Sequence, residues 1–449
     1  MPAGNGIVPL SRIPWGVSGV VRRILARLWP TVAAYALIQD SLIYGASKVI
    51  PGLVGFASVV VFVRITGPEE YGRYMLIAAI VNLWASAAGG WFYQGLLRHL
   101  HGWDLESRSL RHLVGLGLAA CGAAGVTASV IQLTWAPGTS FGDVISGAAL
   151  VVATIGQAIV LGIWQAKLKP QLVIWIELVR SLAVLGVSAV LGVLWGGTAQ
   201  ALLWGAFLGT SLSVIVANIP VDREFGSGLP RPLTHCLSDI WAYGWPLSLW
   251  FGGQLSFQWL DRAMIQQKFG LATTGLFAGW SDIITRSYSL FIFPIALAVY
   301  PRMAVAWNEG RSRDAARMLK ISAVLMLVAA APLTIGLALW RVPLFERALH
   351  TRDLAAAEPT LLLALGGFLW QLALLAHKPL ELRNRTKLMA SAMLAALAIK
   401  AALNWIALPT LGLNGVAYAT ISATVVYCGL CWLFSLMVRF PVAAEKPCW

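Results

Sequence analysis

Asp282 and Arg286 stand four residues apart near the middle of an apolar run that extends from about residue 273 to 301. On a helix that spacing puts both side chains on one face, close enough to neutralise each other. A charge at bilayer depth costs from about 2.5 to more than 10 kcal/mol, depending on how it is measured, so an unneeded pair should not persist there. Three more basic residues fall within apolar runs: Lys48, Arg180 and Lys400. Glu177 precedes Arg180 by three and Asn404 follows Lys400 by four, so each has a polar neighbour on its own helical face. Asp282 and Glu177 are the acids set among these four cations, and they are the candidate sites for a coupling proton or sodium ion. The excess is basic, which favours an anionic ligand over a cationic one. Asp261 and Arg262 close another run and read as an interfacial pair, with Asp261 a further coupling candidate. Arg98 ends a run four residues after Gln94, a place that suits either contact with an entering anionic group or ordinary positive-inside placement; His377 and Lys378 end a run in the same fashion.

The elements that hold these residues are spanning helices. The chain has 449 residues, 58% hydrophobic and 12% charged, with mean hydropathy +0.74, far from the balance of a soluble domain. Apolar runs of about 20 residues recur along the chain, which is the length that crosses a bilayer as a helix. No period-two alternation supports a barrel. The runs place helices at about 41–65, 73–98, 112–135, 144–165, 172–195 and 198–218, then at about 240–267, 273–301, 318–340, 357–378, 387–408 and 412–438. The reading is an all-α membrane protein of about 12 transmembrane helices in two six-helix bundles around a central cavity. Residues 1–39 form a cytoplasmic N-terminal segment without a signal-peptide cleavage pattern. The bundles occupy 40–219 and 240–439, joined by a Pro- and charge-bearing linker at 220–239, with a cytoplasmic tail at 440–449.

The net charge of +14 follows from topology rather than nucleic acid, because most Lys and Arg cluster in alternate loops, as the positive-inside bias requires when both termini are cytoplasmic. Cys428 and Cys431 have a CxxC spacing in an apolar helix with no acidic or His partner, which excludes metal or redox work. No Gly-rich phosphate loop is present, so nucleotide hydrolysis is not the energy source, and no cofactor is implied.

The two halves echo each other: Gly67, Gly72 and Tyr74 line up with Gly270, Gly275 and Phe277 at one fixed offset. Halves of equal helix count and orientation are related by an axis along the membrane normal. Several of these stretches carry a family likeness: the Gly67-Pro68-Glu69-Glu70-Tyr71-Gly72 turn, Asp261-Arg262, Gly275-Leu276-Phe277-Ala278, the Pro294 to Pro301 exit, and the Gly412-to-Thr420 opening of the last helix. In them the chain resembles the polysaccharide and O-antigen flippases of the multidrug/oligosaccharidyl-lipid/polysaccharide (MOP) exporter superfamily. Gly197 to Gly205 departs from the pattern by lacking its second glycine.

The resemblance implies a flippase that carries an undecaprenyl-diphosphate-linked oligosaccharide across a bacterial inner membrane by alternating access, for surface polysaccharide synthesis. Membrane lipids, a coupling proton or sodium ion and polymerase or assembly proteins are the partners it implies. Arg286, Lys48, Arg180, Lys400 and Arg98 are then the substrate-binding candidates, with Arg suited to bidentate diphosphate contact and Lys a point charge. Asp282, Glu177 and Asp261 are the coupling or partner candidates. A multidrug or organic-cation antiporter of the same superfamily is the first rival, and its cavity should be acidic. A peptidoglycan-precursor flippase fits the charges equally well but usually carries additional helices. A membrane glycosyltransferase or O-antigen polymerase is the enzymatic rival. No catalytic constellation is placed at an outer surface for it, and the loop near Arg341 to Ala357 is short.

Overall fold

The computed structural model describes residues 32–100, 103, 107–136, 138–167, 169–218 and 233–437, with side chains from residue 51 onward except at 107, 170, 297, 298 and 301. The Lys48 side chain, segments 1–31 and 438–449, and linker residues 219–232 lie outside the described residues. In chain order the helices are α1 (Val32–His99), α2 (Ser107–Trp135), α3 (Phe141–Ala166), α4 (Pro170–Leu194), α5 (Ala199–Asn218), α6 (Leu233–Asn308), α7 (Ser312–Leu349), α8 (Thr360–Ala376), the short α9 (Lys378–Leu382), α10 (Thr386–Leu411) and α11 (Leu413–Met437). Among the described residues there is no strand, and nine helices are long and apolar enough to cross a membrane. The protein is a multi-pass membrane protein.

The runs at 41–65 and 73–98 form two helices, as expected, and the turn between them is as tight as one residue allows. Gly67 adopts φ 76°, ψ 167°, a left-handed region open to glycine at no steric cost. The chain doubles back there: the rings of Phe62 and Tyr74 lie 6.0 Å apart, whereas twelve residues of straight helix would span about 18 Å. Gly270 repeats the device in α6 with φ 82°, ψ 176°. Each long helix therefore supplies two antiparallel arms. Because α1 counts once among the nine and α6 is not in that set, the passes number twelve.

Each part of the Gly-Pro-Glu-Glu-Tyr-Gly stretch has a mechanical duty in this turn. Gly67 reverses the chain, and Pro68 opens the next arm, where its missing N–H is no loss. Glu70 accepts a 2.8 Å hydrogen bond from the Ala199 backbone N–H at the start of α5, meeting an otherwise orphaned donor at the positive end of that helix. Tyr71 is buried.

Of all pairs of elements, α1 and α6 share the most extensive contact. Residues 87–95 of α1 pack on residues 240–252 of α6, and residues 52–59 of α1 pack on residues 279–290. Each arm thus lies against the opposite arm of the other helix. The crossing next to the turns is reciprocal: a Cβ on Gly72 would overlap the Leu271 carbonyl, and one on Gly275 would overlap the Pro68 carbonyl. Such self-complementarity is the signature of a two-fold relation, here between halves of one chain, and it agrees with the offset read from the sequence. The hydrophobic cores interlock in the same way. Val59, Phe62, Val63 and Tyr71 of α1 pack with second-half residues such as Trp280 and Phe345, while Cys236 and Ile240 of α6 join the first-half cluster.

Because the atoms opposing Gly72 and Gly275 are backbone, they have no rotamer through which to yield. Gly72→Ala and Gly275→Ala are each expected to cost about 1–3 kcal/mol and lower the thermal unfolding midpoint of the protein in detergent. Gly429→Ala, inside α11 at a position with no neighbour within 4 Å, should not lower the midpoint.

Candidate functional site

The hairpin at Gly270 decides what the charged residues of α6 can reach. Arg262 and Asp282 are 20 positions apart in sequence, which on a straight helix would be about 30 Å. In the structure Arg262 Nη2 lies 2.9 Å from Asp282 Oδ1, because the two residues flank the turn at similar depth. Counting back from Gly270 at 1.5 Å per residue puts them roughly 12 and 18 Å from the turn, well inside a hydrocarbon layer about 30 Å thick.

Two linked charge groups result. Lys400 of α10, with 0% of its side chain exposed, places Nζ 2.8 Å from Asp261 Oδ1 and 3.0 Å from Oδ2, and also donates to the Thr420 hydroxyl of α11. Asn404 Nδ2, one turn further along α10, donates to Asp261 Oδ1 at 2.8 Å. Asp282 receives Arg262 on one oxygen and Arg286 Nη2 on the other at 3.7 Å. Arg262 also donates from Nη1 to the Met75 carbonyl at 3.0 Å, which ties α6 to α1. Arg286 is different in kind: its side chain is 44% exposed, and its guanidinium occupies the space where residue 55 would carry a Cβ were it not glycine. Three cations face two carboxylates, so the cluster carries a net positive charge.

A cavity of about 310 Å³ opens on this cluster. Asp261, Arg262 and Asp282 line it from α6, Gly367 and Trp370 from α8, and Thr420 and Thr424 from α11. Gln254, Gln258, Ser281, Thr285 and Ser289 add hydroxyls and amides. The site therefore combines fixed charges, neutral donors and an aromatic wall, and it belongs to the second half rather than equally to both.

The other residues singled out in the sequence fall as follows. Arg180 Nη2 pairs with Glu177 Oε2 at 2.8 Å on α4 and is 36% exposed. Tyr74 lies within electrostatic range of Arg180 as well as Arg262, Asp282 and Arg286, so the α4 pair sits near the cluster without joining it. Arg98 is at the far end of α1, about 45 Å along the arm from Gly67, with its guanidinium over the Tyr243 ring at 5.5 Å from the centroid. His377 and Lys378 belong to a separate buried group: Tyr427 Oη lies 3.0 Å from His377 Nδ1, and Lys378 Nζ lies 2.6 Å from Glu381.

The interfacial pairing expected of Asp261 with Arg262 is not what the structure has. Both are tucked into the protein, and each takes its partner from another arm or helix. Arg262 was the residue that sequence reasoning undervalued. The signal that would have found it is its placement across the Gly270 turn from Asp282.

By sequence, neither a family model nor a curated protein matches the chain. Comparison of structures gives clear likenesses. The lipid II flippase MurJ in an inward closed conformation aligns with TM-score 0.67 at 14% identity, over 89% of this chain and 88% of that one. A multidrug resistance MATE family transporter of the MOP superfamily in its inward-facing conformation aligns with TM-score 0.66 at 13% identity, over 87% and 97%. A MOP superfamily transporter from Pyrococcus furiosus, described as having a binding pocket of reversed polarity, aligns with TM-score 0.64 at 13% identity, over 92% and 97%.

The chain has the fold of the MOP transporters. The charge cluster belongs to the second half alone, since the positions that the two-fold relation matches to Asp261, Arg262, Asp282 and Arg286 are Ser58, Val59, Ala79 and Leu83.

Removing one partner of a buried ion pair strands the other charge, at a cost of about 3–5 kcal/mol. Lys400→Met and Asp261→Asn should each destabilise the protein on that scale, and the double variant should cost less than the sum of the two. Thermal midpoints of the four proteins in a double-mutant cycle check this.

Proposed function

We propose that the protein is a flippase for a lipid-linked oligosaccharide whose head group carries a diphosphate, acting in a bacterial inner membrane with both termini cytoplasmic and the Gly67 and Gly270 turns at the outer face. The observation that supports the reading is the sign of the charge cluster: Lys400, Arg262 and Arg286 pair with Asp261 and Asp282, of which Arg262 and the two carboxylates line the cavity while Lys400 lies behind them and the half-exposed Arg286 supplies the positive excess. A doubly charged head group cannot cross hydrocarbon unaided, since the idealised cost is of order 20 kcal/mol per ion. Arginine supplies the planar, two-pronged donor that matches a phosphoryl group.

Size assigns the cavity a part of the substrate. At about 310 Å³ it sits at the small end of ligand pockets, enough for the phosphates and their immediate linkage but not for a chain of sugars. The sugars require the halves to part, and the contact of α1 with α6 is the seam along which rocking of one bundle against the other would open them. Outward passage of about two negative charges through an inside-negative potential of 100 mV releases roughly 4.6 kcal/mol, at about 2.3 per charge, so flux can run outward without nucleotide hydrolysis. Asp282, Glu177 and Asp261 are the groups through which a proton or sodium ion would be coupled.

The multidrug reading also fits the fold. It meets the objection that both cavity carboxylates already have cationic partners within the protein, with which an organic cation would have to compete.

Arg286 is the cation that is partly exposed and least tied, so it is the residue that decides the reading. Arg286→Ala should reduce surface glycan at least about 10-fold, the loss of one charge-assisted contact of about 1.5–3 kcal/mol, while the protein remains inserted and abundant. Arg286→Lys should retain a fraction of activity. Surface glycan quantified against immunoblotted membranes makes the measurement, and normal glycan in the Arg286→Ala strain would remove the residue from the site.

A further inference from the structure

We infer that Asp282 is an internal counter-anion that competes with the substrate's phosphate for Arg262 and Arg286, and so sets how tightly the site holds its cargo. The inference rests on reading the cavity as the seat of a diphosphate. One carboxylate spans two guanidiniums, with oxygens 2.9 Å from Arg262 Nη2 and 3.7 Å from Arg286 Nη2. A phosphoryl group bridges two arginines with the same pair of oxygens, so Asp282 stands where the ligand would stand.

The two cavity carboxylates are not equivalent. Asp261 receives Lys400 on both oxygens and Asn404 on one, all from α10, so its surroundings fix it. Asp282 has one short contact and one long one, and the long one goes to the half-exposed Arg286. Arg262 is held independently by the Met75 carbonyl and keeps its place when Asp282 lets go. The carboxylate that can yield is therefore Asp282, and the arginine that can turn toward a ligand is Arg286.

Charge balance requires the yielding. Arg262 and Arg286 against Asp282 stand at plus one, the Lys400–Asp261 pair being neutral. A dianion added with both carboxylates in place would leave the group at minus one in a region that solvates charge poorly. Displacing Asp282 from between the arginines sets the two anions further apart and gives the phosphate the arginine donors. On release the carboxylate returns and takes the arginines back. A carrier has to bind strongly enough to load and weakly enough to unload, and an internal competitor meets both demands at one site.

The test measures binding to the purified full-length protein in detergent. The probe is UDP-N-acetylglucosamine, a soluble molecule whose diphosphate is esterified at both ends. Asp282→Asn is expected to bind the probe at least about 10-fold more tightly than the unaltered protein, and Arg286→Ala at least about 10-fold more weakly. Surface glycan from the Asp282→Asn strain should nonetheless fall, because unloading is slowed. A merely structural ion pair would lower the thermal midpoint of Asp282→Asn without raising its affinity, and affinity equal to or below that of the unaltered protein overturns the inference. Should Asp282→Asn fail to fold, Arg262→Gln combined with Asp282→Asn removes the buried pair as a neutral unit. Its affinity is expected to match or exceed that of the unaltered protein, and a 10-fold loss would again overturn the inference. If the unaltered protein does not bind the probe and Arg286→Ala changes nothing, the diphosphate reading itself falls, and the inference with it. If binding is present and depends on Arg286 but not on removal of Asp282, only the inference falls.

Discussion

A charge at membrane depth must find its counter-charge within a few ångströms, and here the requirement is met by a fold-back of the backbone. Arg262 and Asp282 meet because Gly270 turns the chain at one residue. With a loop of several residues in that position, the facing register of the two arms would be set by the loop, and a one-residue slip would rotate each charge by about 100° around its helix. The glycine hinge removes that freedom. The pairing of charges and the geometry of the turn are thus one constraint seen at two scales.

The pseudo-two-fold relation makes the placement of charge easier to interpret, because the first half serves as an internal comparison. It carries the same turn at Gly67 and the same reciprocal crossing at Gly72. At the positions equivalent to Arg262 and Asp282 it has Val59 and Ala79, both buried and apolar. The scaffold therefore needs no ions at this depth to fold. A buried ion pair is weak evidence for stability, since apolar residues of similar size often serve as well or better, and the first half shows that substitution in the same chain.

Much of the scaffold was legible in the sequence. Run length gave the passes, and the spacing of Gly67 and Gly72 with Gly270 and Gly275 gave the two-fold relation, because glycine is required both where φ is positive and where two backbones touch. The pairs within one helix, Glu177 with Arg180 and Asp282 with Arg286, were legible for the same reason: helical periodicity fixes which side chains share a face. The pairs between helices were not. Nothing in the local sequence of Lys400 says that Asp261, 139 positions away, is its partner, because that contact depends on how α10 packs against α6. The expected hairpin loops were also drawn too long, since a hydropathy profile cannot tell a single-residue reversal from a short polar link.

One arginine then connects the site to the movement that transport would need. Arg262 touches Asp282 on the second arm of α6 and the Met75 carbonyl on the second arm of α1, so it contacts both the cavity and the seam between the halves. A guanidinium has five donors in a rigid plane, and here one nitrogen serves the cavity carboxylate while another serves the backbone of α1. A ligand can bias a conformational equilibrium only by interacting differently with its two states, and Arg262 is a planar group placed where the cavity and the α1–α6 contact meet.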